Sequence, residues 1–299
     1  MSTILSIDGL SKRYGAIQAV DKLNLEIQQG EIYGLLGPNG SGKTTTLGIV
    51  LGITQQDQGT FEWFGEKPTA IIRKRMGATL EQPAFYPYLS AVNNLRVIAR
   101  IKNVAFGDFE RVLKLVGLYD RRNHKFRTYS LGMKQRLAIA SALLGKPEAL
   151  ILDEPTNGLD PQGIFEIRNL ILHIGSEGTT IILASHLLDE VQKVCSHVAV
   201  LHKGKKLYSG RVSDLSNDSA EVELASNNPE ILADALLAFP GVSSVNMENR
   251  LLIATLKPGI TPYDINEYLI AQGIVLNHLN QRRKNLEQHF FEILNSQEK

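Results

Sequence analysis

One stretch limits what this chain can fold into more than any other. Residues 37–44 read Gly37-Pro38-Asn39-Gly40-Ser41-Gly42-Lys43-Thr44, the pattern G-x-x-x-x-G-K-T of a phosphate-binding loop. The pattern carries chemistry only between a strand and a helix. Both are supplied: Glu31 to Leu36 is a short apolar run, and Thr45 to Leu51 continues as a helix. Glycines let backbone N–H groups turn inward around phosphate oxygens. A helix start adds unpaired donors and partial positive charge. Lys43 is then expected on the β- and γ-phosphates and the Thr44 hydroxyl on Mg²⁺. Gly37, Pro38, Asn39, Gly40, Ser41, Gly42, Lys43, Thr44 and Thr45 form the expected nucleotide-binding set.

A phosphate loop with a metal demands acidic partners. Ala149 to Asp153 is an apolar strand that ends in Asp153-Glu154. Asp153 stands where a metal-side carboxylate is needed, and Glu154 is placed to polarise an attacking water. A second buried strand, Thr179 to Ala184, ends at Ser185-His186, where His186 could donate to a γ-phosphate. Ser130 and Gly132 open a further helix and offer a hydroxyl and bare N–H groups, a second anion site. Tyr14, before the Gly15 turn in an expected loop 11–15, has a ring that could stack on a base or pack on the sheet. The basic run 121–127 reads as a solvated face, with an acidic or phosphate contact as its alternative.

In their order and spacing these pieces resemble the ATP-binding subunit of an ABC transporter, over roughly residues 4 to 215. The resemblance makes Tyr14 the adenine-stacking aromatic and Gly37 to Thr44 the Walker A loop. It makes Tyr129-Ser130-Leu131-Gly132-Met133 the signature and Asp153 to Thr156 Walker B, with Glu154 catalytic. Gly158-Leu159-Asp160 becomes the D-loop and His186 the switch histidine. The usual signature is L-S-G-G-Q; here the first glycine is Leu131 and the glutamine is Met133, a variant similar to bacitracin- and daunorubicin-resistance exporters. The Q-loop glutamine, which contacts Mg²⁺ and the attacking water, aligns to Glu81, with Gln82 next to it. The resemblance implies ATP and Mg²⁺ as cofactors, Thr44, Asp153 and Glu81 on the metal, and two ATP molecules sandwiched in a homodimer. It also implies a separate polytopic membrane permease as partner, docked through the aromatic loop Phe85-Tyr86-Pro87-Tyr88 and the neighbouring helices.

The expected fold is α/β: a P-loop NTPase of ABC ATPase type, with a mixed sheet core, an antiparallel β subdomain and an inserted helical subdomain at about 82–145. Ser90 and Asp108 are expected to cap two of its helices, and Gly175 to follow the end of a helix begun at Pro161. This domain spans 1–215. Residues 216–299 read as a small accessory α+β domain, ferredoxin-like, ending in an amphipathic helix, 285–294. Net charge is +1 over 299 residues, so no basic footprint for nucleic acid exists. One cysteine, Cys195, fits a reducing compartment and reads as a packed hydrophobe. With no apolar run near the roughly 18 residues of a span, the chain is expected in the cytoplasm, peripheral on the inner membrane face through the permease. The competing class is a non-transport ABC ATPase acting on nucleic acid or as a soluble switch. Repair and chromosome ATPases insert long coiled coils between the two ATP motifs, and no long heptad pattern lies between Thr44 and Ser130. Ribosome-associated relatives carry two ATP domains on one chain, and phosphate-loop kinases or GTPases lack the signature and switch histidine.

Overall fold

The computed structural model describes residues 2–80, 84–104, 108–214 and 221–282. The chain divides into two compact units, Met1–Arg211 and Val212–Lys299.

In the first unit, β1 (Thr3–Tyr14), β2 (Ile17–Gln28) and β4 (Gln58–Trp63) form an antiparallel sheet in the order β2-β1-β4. The 11–15 loop expected from sequence is absent. β1 runs on to Tyr14, which pairs with Ile17, so only Gly15 and Ala16 make the turn. Asp57 explains the extension: it accepts from the Arg13 amide at 2.7 Å and from Lys12 Nζ at 2.8 Å. A two-residue hairpin with Gly15 at φ 58° follows the strand twist.

The second sheet has β5 (Met76–Thr79), β6 (Ala149–Asp153), β7 (Thr180–Ser185), β3 (Ile32–Leu36), β8 (His197–His202) and β9 (Lys205–Arg211), in that spatial order. All pairs are parallel except β8–β9. β6 and β7 are buried along their whole length, as uninterrupted apolar strands covered on both faces must be. Helix α1 (Lys43–Val50) lies in the core that joins the sheets, where Leu47, Ile49 and Val50 meet Leu25, Ile27, Leu35 and Ile151. The fully buried Trp63 donates its indole N–H to Val50 O at 2.8 Å and pins that helix end. Gly34 in β3 leaves room for Cys195, whose Sγ would stand 3.1 Å from a Cβ there.

A short helix unread in the sequence, α2 (Ala70–Lys74), precedes β5; it has one turn and a Thr69 cap. The helical block comprises α3 (Ala91–Lys102), α4 (Phe109–Leu115) and α5 (Leu131–Ala142). Ser90 caps α3 as expected, accepting from the Asn93 amide. Asp108 does not cap α4. Its carboxylate is taken by Arg111, at 2.6 Å, and by the Gly145 amide, at 3.1 Å. Helix α6 (Pro161–Ser176) contains Gly175 rather than ending before it, and the turn falls at Gly178, φ 91°. α7 (Leu188–Val194) follows β7.

The second unit runs β10 (Glu221–Ser226), α8 (Pro229–Ala238), β11 (Val242–Glu248), β12 (Leu251–Leu256), α9 (Pro262–Ala271), β13 (Leu276–Arg282). Its antiparallel sheet has the order β11-β12-β10-β13, the βαββαβ ferredoxin-like pattern. Leu232, Leu236, Ile265 and Leu269 of its helices pack on Val222, Leu224, Leu252 and Ala254. The expected final helix, 285–294, lies outside the described residues.

Candidate functional site

Parallel sheets place their ligands at the carboxyl ends of the strands. Three such ends converge here: β3 delivers the 37–44 loop, β6 delivers Asp153-Glu154, and β7 delivers Ser185-His186. The result is a cleft of about 620 Å³ lined by residues 39–45 together with Glu154, Asn157 and His186.

The loop is seated by backbone. Gly42 has φ 107°, and a Cβ on it would stand 2.4 Å from Ala19 O. Gly37 is equally closed, since a Cβ there would meet Leu201 O at 2.3 Å. Ser41 O accepts from the Gly204 amide at 3.1 Å. The loop is thus gripped between the β2 strand and the β8–β9 turn, and its Ser41 amide donates within the loop to Pro38 O at 3.1 Å. Thr46 Oγ1 donates back to Gly42 O at 2.9 Å and closes the first turn of α1.

Three side chains form one polar line across the cleft. Lys43, 5 % exposed, donates to Gly37 O at 2.7 Å and stands 3.5 Å from Glu154 Oε1. Glu154 Oε2 is 2.8 Å from His186 Nδ1. Glu154 is a non-glycine residue at φ 48°, and its amide donates to Ala184 O at 2.9 Å. A left-handed backbone of this kind costs energy and marks a position held for a purpose.

Thr44 lines the cleft and is exposed, whereas Asp153, at the end of β6, is fully buried. Their oxygen donors suit a small hard cation. Among the described residues no three acidic, histidine or cysteine side chains cluster to cage a metal. A hydroxyl and a carboxylate are donors of the kind Mg²⁺ takes, one or two protein oxygens with the rest of its shell phosphate and water.

Tyr14 does not line the cleft. The residue is 48 % exposed with Lys12 Nζ 5.4 Å from its ring centre, and its hairpin partner Ile17, with Ala19, lines the cleft instead. Ile17, Ala19 and Asn157 were not read as site residues. Ile17 and Ala19 carry no motif; Asn157 opens a turn whose position depends on Glu154. Glu81 and Gln82 lie outside the described residues.

Ser130 and Gly132 are not brought to this cleft. They line a separate cavity of about 430 Å³ with Gly158, Leu159 and Asp160. Ser130 caps α5, accepting from the Met133 amide at 3.3 Å, and its hydroxyl proton remains free to donate. Asp160 caps α6, accepting from the Gly163 amide at 2.9 Å. A third hollow, apolar along Leu51, Met76, Leu80 and Phe85, lies between the sheet and α3–α5 and holds Lys102. Tyr86 and Tyr88 beside it are 49 % and 63 % exposed.

Comparison with known proteins gives concordant results. The family model described as "ABC transporter" matches residues 20–157. The bacitracin transport ATP-binding protein BcrA of Enterococcus faecalis is 35 % identical over 98 % of this chain and 97 % of its own length. Its namesake in Bacillus licheniformis is 46 % identical over 69 % of each. The lantibiotic transport ATP-binding protein SrtF of Streptococcus pyogenes is 38 % identical over 68 % of this chain and 88 % of its own. Among solved structures, cbiO1 of Clostridium perfringens, part of the transporter complex cbiONQ, superposes with TM-score 0.66 at 27 % identity, covering 80 % of this chain and 97 % of that one. A dimeric post-hydrolysis cassette, MJ0796 with ADP and Pi, gives 0.62 at 25 % identity over 70 % and 99 %.

Proposed function

The chain belongs to the ABC transporter ATP-binding family, and from that premise we propose that it powers an exporter whose membrane spans lie on a separate permease chain. The relatives named for bacitracin and lantibiotic transport support an exporter of antibiotics of that kind. No described helix is long and apolar enough to cross a membrane, which fits a permease partner.

One observation carries the catalytic reading. The cleft with Lys43, Glu154 and His186 contains no residue of the Ser130–Gly132 segment, which lines its own cavity. Each half-site is suited to phosphate, and neither surrounds it. Two copies facing each other would join the 37–44 loop of one to Ser130 and Gly132 of the other, twice. ATP entering the cleft draws the Lys43 ammonium from Glu154 onto its β- and γ-phosphates. Glu154 then accepts a proton from water as the water oxygen attacks the γ-phosphorus, and the bond to the bridging oxygen breaks to leave ADP and phosphate. His186, held against Glu154, is placed to donate to the γ-phosphate. Mg²⁺, held by Thr44 and Asp153, would neutralise charge on the phosphates. Losing the γ-phosphate removes the contact that favours the closed dimer, and the permease follows that change.

The test is affinity purification of the tagged chain from detergent-solubilised native membranes with ATP present. A polytopic membrane protein in one-to-one proportion is expected. Co-purification of soluble nucleic-acid-associated proteins alone would overturn the transport reading and leave the ATPase chemistry standing.

A further inference from the structure

The basic run 121–127 has no task in the cleft or in the cavity at Ser130. Two short 3₁₀ turns, Tyr119–Arg121 and Phe126–Thr128, bracket it. It holds Arg121, Arg122, Lys125 and Arg127, with His124 among them. The chain's net charge is +1, so without these four cations the rest would carry −3. Among the described residues no carboxylate forms an ion pair with any of the four. Asp120 stands exposed just before the run, while Asp108 and Glu110 are held by Arg111 and Lys114. Arg121 Nη1 instead lies 3.4 Å from His124 Nδ1, and Arg122 Cζ lies 4.0 Å from the centre of the Tyr119 ring.

Like charges gathered on one segment repel, and backbone bonds hold this segment in place. The Arg127 amide donates to Pro87 O at 3.0 Å, the Phe126 amide to Leu89 O at 2.9 Å, and the Val92 amide to Arg122 O at 3.1 Å. The Tyr129 hydroxyl donates to Arg121 O at 2.7 Å. The same bonds lay the 85–88 loop alongside the run, and the rings of Phe85 and Phe126 meet at 5.0 Å between centres. Arg121, Lys125 and Arg127 are exposed, as are Tyr86 and Tyr88, whose rings lie 5.9 Å apart. A shallow hollow of about 700 Å³ opens along Arg121, His124, Lys125 and Thr128. Cations beside exposed tyrosines suit a membrane interface: the charges are drawn to anionic headgroups, and a tyrosine keeps its ring in the apolar edge with its hydroxyl in water.

We propose that residues 121–127, together with Tyr86 and Tyr88, form a contact surface for an anionic lipid leaflet. Charge selects the occupant. A sheet of headgroup phosphates neutralises all four cations at once, which no described carboxylate of the chain does. An amphiphilic surface also accommodates the two tyrosines, which a free phosphate would leave in water. The chain thereby touches lipid itself, and the contact does not depend on the permease.

The experiment sediments the purified chain, with no permease present, on vesicles of phosphatidylcholine alone or in equal parts with phosphatidylglycerol. Binding to the anionic vesicles only, weakening as salt rises, is expected. Each cation at such a surface adds about fivefold, so the triple variant Arg121→Gln, Lys125→Gln, Arg127→Gln should bind about a hundredfold more weakly. Arg121→Lys with Arg127→Lys keeps the charge and should keep the binding. Tyr88→Ser should weaken binding equally at every salt concentration. These positions are exposed, so melting temperatures should match wild type, as should ATP hydrolysis by the triple variant in lipid-free solution. Loss of that hydrolysis would assign the cations to nucleotide and overturn the proposal. Equal binding by wild type and the triple variant overturns it as well. A lysine variant as weak as the glutamine one would mark a bidentate phosphate pocket in place of a lipid surface. If vesicles leave the wild-type chain unbound while the triple variant loses its co-purifying membrane protein, the cations serve an acidic segment of that partner and the lipid surface is refuted. Vesicle binding with no co-purifying membrane protein would instead sink the permease reading and leave this one standing.

Discussion

Changing Glu154 to Gln should separate binding from turnover, and the geometry sets the size of both effects. The Glu154 side chain is only 14 % exposed and stands 3.5 Å from the Lys43 ammonium and 2.8 Å from His186. Gln keeps the shape and a carbonyl oxygen for His186 but removes the charge. At an effective dielectric constant of about 20, opposite charges at this separation attract by about 5 kcal/mol before solvation is counted. In the nucleotide-free chain that attraction competes with phosphate for Lys43. If even a quarter of it survives as a net competing term, releasing it tightens ATP binding about tenfold. Loss of a general base costs about 10²- to 10⁴-fold in rate, equivalent to roughly 3–5 kcal/mol of barrier. The assays are equilibrium binding of a fluorescent ATP analogue and steady-state phosphate release. Turnover within tenfold of wild type would remove Glu154 from the role of base. Binding weaker than wild type would refute the competition between Glu154 and phosphate for Lys43.

Lys43→Ala should abolish measurable nucleotide binding, since its ammonium is the cation that lines the loop itself; unchanged affinity in the same binding assay would disprove the loop assignment. Ser130→Ala should retain partial hydrolysis in mixed dimers that keep one intact composite site, and a mixed population no more active than the pure variant would count against that architecture. Burial pushes the Lys102 ammonium from the ordinary 10.5 down to about 8, although Ser141 O and Ala142 O, at 3.2 and 3.1 Å, hold it. A base with a depressed pKa sheds its proton first in the folded chain, so unfolding free energy should rise between pH 8 and about 10.5. Denaturant titration should show that rise in wild type and not in Lys102→Met; identical slopes would refute it.

The sequence disclosed most of the cleft because its parts are short motifs pinned to strand ends. The 37–44 loop, Asp153-Glu154 and His186 each follow an apolar run whose burial fixes where the chain emerges. What stayed hidden depends on contacts between distant segments. Asp108 has the residue type of a cap, but Arg111 and the Gly145 amide outcompete the helix for its carboxylate. The 11–15 stretch looks like a loop, and Asp57, far along the chain, makes it strand. Ile17 lines the cleft from the far side of that hairpin, where it pairs with Tyr14 and belongs to no motif.

The way Cys195 is packed has a practical consequence. The thiol is 7 % exposed, fitted against Gly34, and burial pushes it up to about 12. At neutral pH it holds almost no thiolate, and the thiolate is the form that reacts with maleimides and iodoacetamides. It is also the chain's sole cysteine. The native protein therefore behaves as an unreactive background for site-specific labelling, with no cysteine to remove beforehand. A cysteine introduced at the exposed Ala16, in the turn beside the cleft-lining Ile17, would carry a single dye close to where nucleotide enters. Opening and closing of the cleft could then be followed by fluorescence on a chain otherwise unaltered.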